Sequence, residues 1–178
     1  MQLIRCVMLD DTVQNISVPE PEDILVISKK TLPGNIKYID VLPDYFTADT
    51  GDDGFMLIPS VEGSHLSGLT FFRSRENCEE IYQDSSMPLY ACRRAGNTTL
   101  AIVTGMKFDY SLVCGVRDGK YYLYPRFRLD GAEAYEDIEI RFLRFSGSVR
   151  YPELARAYRK FQRENGNCRT LREKAAER

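Results

Sequence analysis

Apolar and β-branched residues come in short runs over the first 145 positions: 3–8, 24–28, 36–41, 55–59, 66–72, 88–92, 98–104, 110–116, 120–129 and 137–145. Runs of this length, bounded by turn residues, read as strands. The breaks carry turn chemistry at Pro33-Gly34-Asn35, between Asp49 and Gly54, at Gly96-Asn97 and at Asp118-Gly119. An Asp-Gly step between two β-rich runs is the strongest short hairpin signal, and it predicts a hairpin over 111–128. Ile138, Ile140 and Phe142 alternate with Glu139 and Arg141, which sets one face of that strand in a core and the other in water. Leu143 and Phe145 then shift phase, which predicts a bulge or a strand end covered on both faces. Leu100-Ala101-Ile102-Val103 is apolar throughout, the pattern of a strand buried on both sides. About ten short strands separated by turns indicate a sandwich or barrel rather than an alternating α/β chain.

After Phe145 the period changes. Ser146-Gly147-Ser148 reads as a small linker, and Pro152 suits the first turn of a helix. Tyr151, Leu154, Ala155, Tyr158 and Phe161 follow at helical spacing, with Arg156, Arg159, Lys160 and Arg163 on the opposite face and Gly166 as a stop. The expected fold is therefore mainly β: a β-sandwich over 1–145, then a linker and a basic C-terminal amphipathic helix within 146–178. Thr170-Leu171-Arg172-Glu173 has the form of a capping box, which predicts that a further helix begins just before the last residue given.

Composition narrows the function classes. The 178 residues include 24 Lys+Arg, 26 Asp+Glu, one His and no Trp. A net charge of -2 argues against a nucleic-acid binder driven by bulk charge. The charge is split, however. Residues 141–178 hold 11 basic and 4 acidic side chains, and residues 1–140 hold 13 and 22. This split reads as a basic arm for an acidic partner or, more plainly, as a helical tail lying on the chain's own acidic body. Five scattered cysteines without a Cys-x-x-Cys pair fit neither a zinc ribbon nor a disulfide scaffold and favour a reducing compartment. Neither a signal peptide nor an apolar stretch of the ~20 residues a membrane helix needs is visible, so a cytoplasmic, non-membrane protein is expected.

Few residues offer chemistry. His65 would have to serve any Ser-His-acid triad, yet no Gly-x-Ser-x-Gly elbow accompanies it. A single histidine excludes a zinc site built on two or three. The acidic stretch with Asp44, Asp49, Asp52 and Asp53 departs from a calcium loop, because Gly51 and Ser60 occupy ligand positions. No metal or cofactor is expected. Asp52, Asp53, Glu62 and His65 remain as polar candidates for ligand contact. Tyr122 and Tyr124 share one face of their strand and could offer an aromatic platform to a sugar ring, with Tyr121 and Leu123 on the other face.

Four stretches, taken in order, carry a resemblance. They are Gly51-Asp-Asp-Gly-Phe-Met-Leu-Ile-Pro59 with the turn at Glu62-Gly63-Ser64; Met87-Pro-Leu-Tyr-Ala-Cys92 leading to Leu100-Ala-Ile-Val103; Tyr124-Pro-Arg-Phe127; and Leu154-Ala-Arg-Ala-Tyr-Arg-Lys-Phe161 with Thr170-Leu-Arg-Glu-Lys-Ala175. The chain resembles, from about Ile24 to Lys174, the N-terminal β-sandwich of α-N-acetylgalactosaminidase-like glycoside hydrolases and related uncharacterised bacterial proteins. The resemblance implies a galactose-mutarotase-like supersandwich ahead of a (β/α)-barrel that bears the catalytic carboxylates, so it carries no catalytic position onto this chain. It also implies that 51–64 faces the barrel or a glycan. The expected function is a non-catalytic accessory domain of a glycoside hydrolase, with carbohydrate and a catalytic barrel or partner protein as its contacts. The alternatives are a free-standing carbohydrate-binding module, which requires exposed coplanar tyrosines, a sugar epimerase, which one histidine serves poorly, and a protein-interaction module.

Overall fold

The computed structural model describes residues 1–49, 55–60, 63–65, 77–82, 89–94, 96–104, 110–130, 137–147 and 149–165. The strands are β1 Gln2–Met8, β2 Val13–Val18, β3 Ile24–Ile27, β4 Ile36–Val41, β5 Phe46–Asp49, β6 Phe55–Ser60, β7 Gly63–His65, β8 Cys78–Tyr82, β9 Leu89–Arg94, β10 Asn97–Thr104, β11 Tyr110–Arg117, β12 Lys120–Arg128 and β13 Ile138–Ser146. Among the described residues a 3-10 turn lies at Lys29–Thr31, and one α-helix follows the strands, α1 at Tyr151–Glu164.

The strands form two antiparallel sheets. The first has seven strands in the order β2-β1-β4-β12-β11-β8, with β5 pairing β12 beside β4. The second has six, in the order β3-β13-β10-β9-β6-β7. Between them lies one apolar core. The first sheet contributes residues such as Ile39, Cys114 and Leu123, and the second contributes Ile58, Tyr90 and Ile140. Phe46 bridges the layers, with ring centroids 5.0 Å from Tyr90 and 6.2 Å from Phe142. The fold is thus a β-sandwich followed by a helix.

Local sequence explains the elements. Asp118 and Gly119 both adopt positive φ, 50° and 73°, the backbone a two-residue hairpin requires, and β11 pairs β12 from Arg117↔Lys120 to Tyr110↔Phe127. Pro125 sits inside β12 without breaking a ladder on its outer side. There the pairing with β5 ends at Leu123 and the pairing with β4 begins at Arg126. The continuous run at 100–103 is buried on both faces: Ala101 and Val103 join the inter-sheet core, while Leu100 and Ile102 are equally buried on the opposite face. β13 keeps an unbroken register with β10 from Ser146 to Glu139, so no bulge marks the phase shift. Instead Leu143 and Phe145 are half-buried on the face opposite Ile140 and Phe142, and the strand end is covered on both sides.

Four strands depart from the sequence expectation. β2 is an edge strand with only partly buried apolar residues, and its Val-Gln-Asn-Ile-Ser-Val run shows little alternation. β5 takes up the front of the stretch read as an acidic turn, and β7 and β8 are short edge strands. The strand expected at 66–72 and the capping box at Thr170 lie outside the described residues.

The chain divides into two compact units, Met1–Gly147 and Ser148–Arg178. Within the second, α1 is amphipathic: Leu154 and Phe161 are its buried residues, and Arg156, Arg159, Lys160 and Arg163 are exposed. Its first turn is closed by Glu153, whose Oε2 accepts from the Arg150 amide at 2.7 Å. The Asn165 amide and side chain both donate to the Phe161 carbonyl at the other end.

Candidate functional site

The outer face of the seven-stranded sheet concentrates the polar chemistry. Register decides which side chains meet there. Arg5 of β1, Asp40 of β4 and Arg126 of β12 stand opposite one another on three adjacent strands. Two residues along, Tyr124 of β12 stands opposite Val113, and beyond it Tyr122 stands opposite Gly115 of β11, which in turn faces Glu79 of β8. Residues opposite each other share a face, so these rows form one surface.

Asp40 is the hub. Its residue is fully buried, yet both carboxylate oxygens are taken by guanidinium groups. Arg126 donates from Nε to Oδ1 at 2.6 Å and from Nη2 to Oδ2 at 3.0 Å. Arg5 donates from Nε and Nη2 to Oδ2 at 3.0 and 2.5 Å, and its Nη2 also reaches the Tyr124 hydroxyl at 3.2 Å. Arg126 lies over the Tyr38 ring, 4.1 Å from its centroid. The two arginine side chains are 38% and 17% exposed. Burial works against their charge, but the hydrogen bonds and attraction of Asp40 outweigh it and raise both above the ordinary arginine value. A buried carboxylate is tolerated only when paired and hydrogen-bonded in this way.

Tyr122 anchors the other end. Its hydroxyl donates to Glu79 Oε2 at 2.8 Å, and Arg117 lies 4.7 Å from its ring centroid and 3.9 Å from the Glu79 carboxylate. The Tyr122 and Tyr124 rings stack at 6.1 Å with 19° between planes. Burial, then the bond to Glu79, pushes the Tyr122 hydroxyl well above the ordinary tyrosine value. Burial, then the charges of Asp40 and Glu79, raises Tyr124. Both hydroxyls therefore stay protonated at neutral pH. The surface holds charge and donates hydrogen bonds, and among its described residues the Asp40 carboxylate is held by two arginines and the Glu79 carboxylate accepts from Tyr122.

Of the residues singled out in the sequence, Tyr122 and Tyr124 come together on this face. They are buried, with 6% and 2% exposure, and not laid out as an open platform. His65 ends β7, opposite Ile58. Asp52, Asp53 and Glu62 lie outside the described residues. Among the described residues no group of three or more His, Cys, Asp or Glu side chains converges, and no helix is long and apolar enough to cross a membrane. Cys6, Cys92 and Cys114 are buried and Cys78 is partly buried, all four outside any disulfide.

The Asp40 hub was not identified from the sequence. Its signal there is that Arg5, Asp40 and Arg126 each interrupt an apolar β run. Only the pairing of β1 with β4 and of β4 with β12 matches them. No family model matches the chain, and no curated protein matches it.

Proposed function

We propose that the chain is a non-catalytic β-sandwich module of a glycoside-hydrolase-type protein, which supports a catalytic barrel domain and contacts glycan. The observation that carries the non-catalytic part is the Asp40 clamp: among the described residues the one fully buried carboxylate is consumed by two arginines, and the neighbouring tyrosines are held protonated. General acid–base work needs a carboxylate or imidazole open to the substrate, and among the described residues of this face Asp40 and Glu79 are already engaged by arginines and Tyr122. The glycoside-hydrolase part is supported by the resemblance described above and by the order of elements, a sandwich and then an amphipathic helix. The test is an array of neutral and acidic glycans probed with the purified chain, run beside turnover assays on aryl glycosides. Binding without turnover is the expected result.

A second reading, a protein-interaction module, is favoured by one observation. Leu3, Val13 and Ile81 are exposed by 37%, 56% and 46%, and the register places all three on the same outer face as the arginines. Apolar residues interspersed with Arg and Tyr are what protein interfaces select.

A further inference from the structure

Two guanidinium groups share one carboxylate at the hub. Arg5 and Arg126 together bring two positive charges to the single negative charge of Asp40, so the cluster keeps a surplus of one in a partly desolvated setting. The next carboxylate along the face, Glu79, accepts from Tyr122 and faces Arg117. The donors are also unevenly used. A guanidinium offers five N–H groups. Asp40 and Tyr124 occupy Nε and Nη2 of Arg5, and Asp40 occupies Nε and Nη2 of Arg126, so neither Nη1 has a partner among the described residues. Both forks are locked, Arg126 further by the Tyr38 ring, so their remaining donors are oriented before any ligand arrives. Asn15 of β2, exposed, stands opposite Arg5 and adds a neutral amide suited to hydroxyl groups.

We propose that Arg5 and Arg126 bind the carboxylate of an acidic sugar, a uronate unit of a glycan. A second carboxylate would neutralise the surplus charge and take the unused donors, while Asn15 meets the sugar's hydroxyls. The carboxylate follows from the charge and donor count. Its assignment to a sugar rests on the carbohydrate reading above.

The test follows the arginine Nε–Hε resonances of the full, 15N-labelled chain during titration with D-galacturonate, D-glucuronate, D-galactose and acetate at constant ionic strength. The expected result is a saturable shift of the Arg5 and Arg126 signals with at least one uronate, at concentrations about tenfold or more below those acetate needs, and no shift with galactose. Asn15→Ala, a change at an exposed edge position, should weaken uronate binding a few-fold, and Arg5→Gln should weaken it about tenfold or more. Silent arginine signals with both uronates, or an equal response to acetate (an adventitious ion only), would overturn the proposal. Array binding of neutral glycans with silent arginine signals would overturn it too, while leaving the module reading intact. Uronate binding at the arginines by a chain that also turns over glycosides would keep the site and overturn the non-catalytic reading instead.

Discussion

Gly115 and Tyr122 face each other across the β11–β12 ladder, and the tyrosine reaches β8 only because the glycine has no side chain. A Cβ at Gly115 would lie 2.7 Å from the Tyr122 hydroxyl and 1.9 Å from the Cys78 carbonyl oxygen. The second contact is with backbone and cannot be relieved by a rotamer change. Gly115→Ala should therefore destabilise the protein by about 3 kcal/mol or more, the upper end of overpacking costs. Tyr122→Phe, which removes the hydroxyl's bond to Glu79 and its 3.4 Å contact with the Cys78 carbonyl, should cost about 1 kcal/mol. Urea denaturation midpoints separate the two, and a Gly115→Ala cost no larger than that of Tyr122→Phe would contradict the packing described.

Asp40 predicts a sharper effect. Asp40→Asn leaves two arginines crowded together without their counter-charge, and breaking a buried pair in this way costs about 3–5 kcal/mol. Arg126→Gln should cost more than Arg5→Gln, because the Arg126 side chain is the less exposed and also covers Tyr38. The denaturant midpoints of the three variants check the order, and a double-mutant cycle between Asp40 and Arg126 measures their coupling.

Alkaline pH should unfold the protein. Burial raises Tyr90, Tyr110, Tyr122 and Tyr124 above the ordinary value of 10.0. Below that value both folded and unfolded chains keep these protons, and stability is unaffected. Above it the unfolded chain releases protons that the folded chain retains, so stability falls by about 1.4 kcal/mol per pH unit for each such tyrosine. Tyrosinate absorbance should show fewer than the 11 tyrosines titrating before unfolding. Tyr110→Phe should flatten the alkaline fall at little cost near neutrality, because its buried hydroxyl has no hydrogen-bond partner among the described residues.

The hairpin turn is equally specific. Gly119 sits at φ 73°, where an L side chain is strained, so Gly119→Ala should cost about 1–2 kcal/mol. Gly34 has a negative-φ backbone and open space around it, so Gly34→Ala should be close to neutral. Thermal melts of the two variants provide the comparison.

Strand pattern and turn chemistry read well from sequence because they are local. The Asp118-Gly119 hairpin, the doubly buried run at 100–103 and the helix ending at Glu164 all follow from periods and φ requirements that neighbouring residues set. The Tyr122 and Tyr124 pairing on one face follows from the same period of two. Their burial does not, because what covers a face is a property of the whole sandwich. The Asp40 hub was hidden for the same reason: Arg5, Asp40 and Arg126 are separated by 35 and 86 positions, and only strand order makes them neighbours. β2 was missed because an edge strand needs little apolar alternation to pair.

The most direct measurement of the central claim is the initial rate at which the purified 178-residue chain releases aryl alcohol from a panel of aryl α- and β-glycosides, across pH 4 to about 9, the range over which carboxylate and histidine catalysts titrate. The account predicts a rate indistinguishable from buffer at every pH. A saturable, pH-dependent rate that scales with protein concentration would contradict it, because a chain whose hub carboxylate is locked between two arginines would then hold an acid–base pair elsewhere.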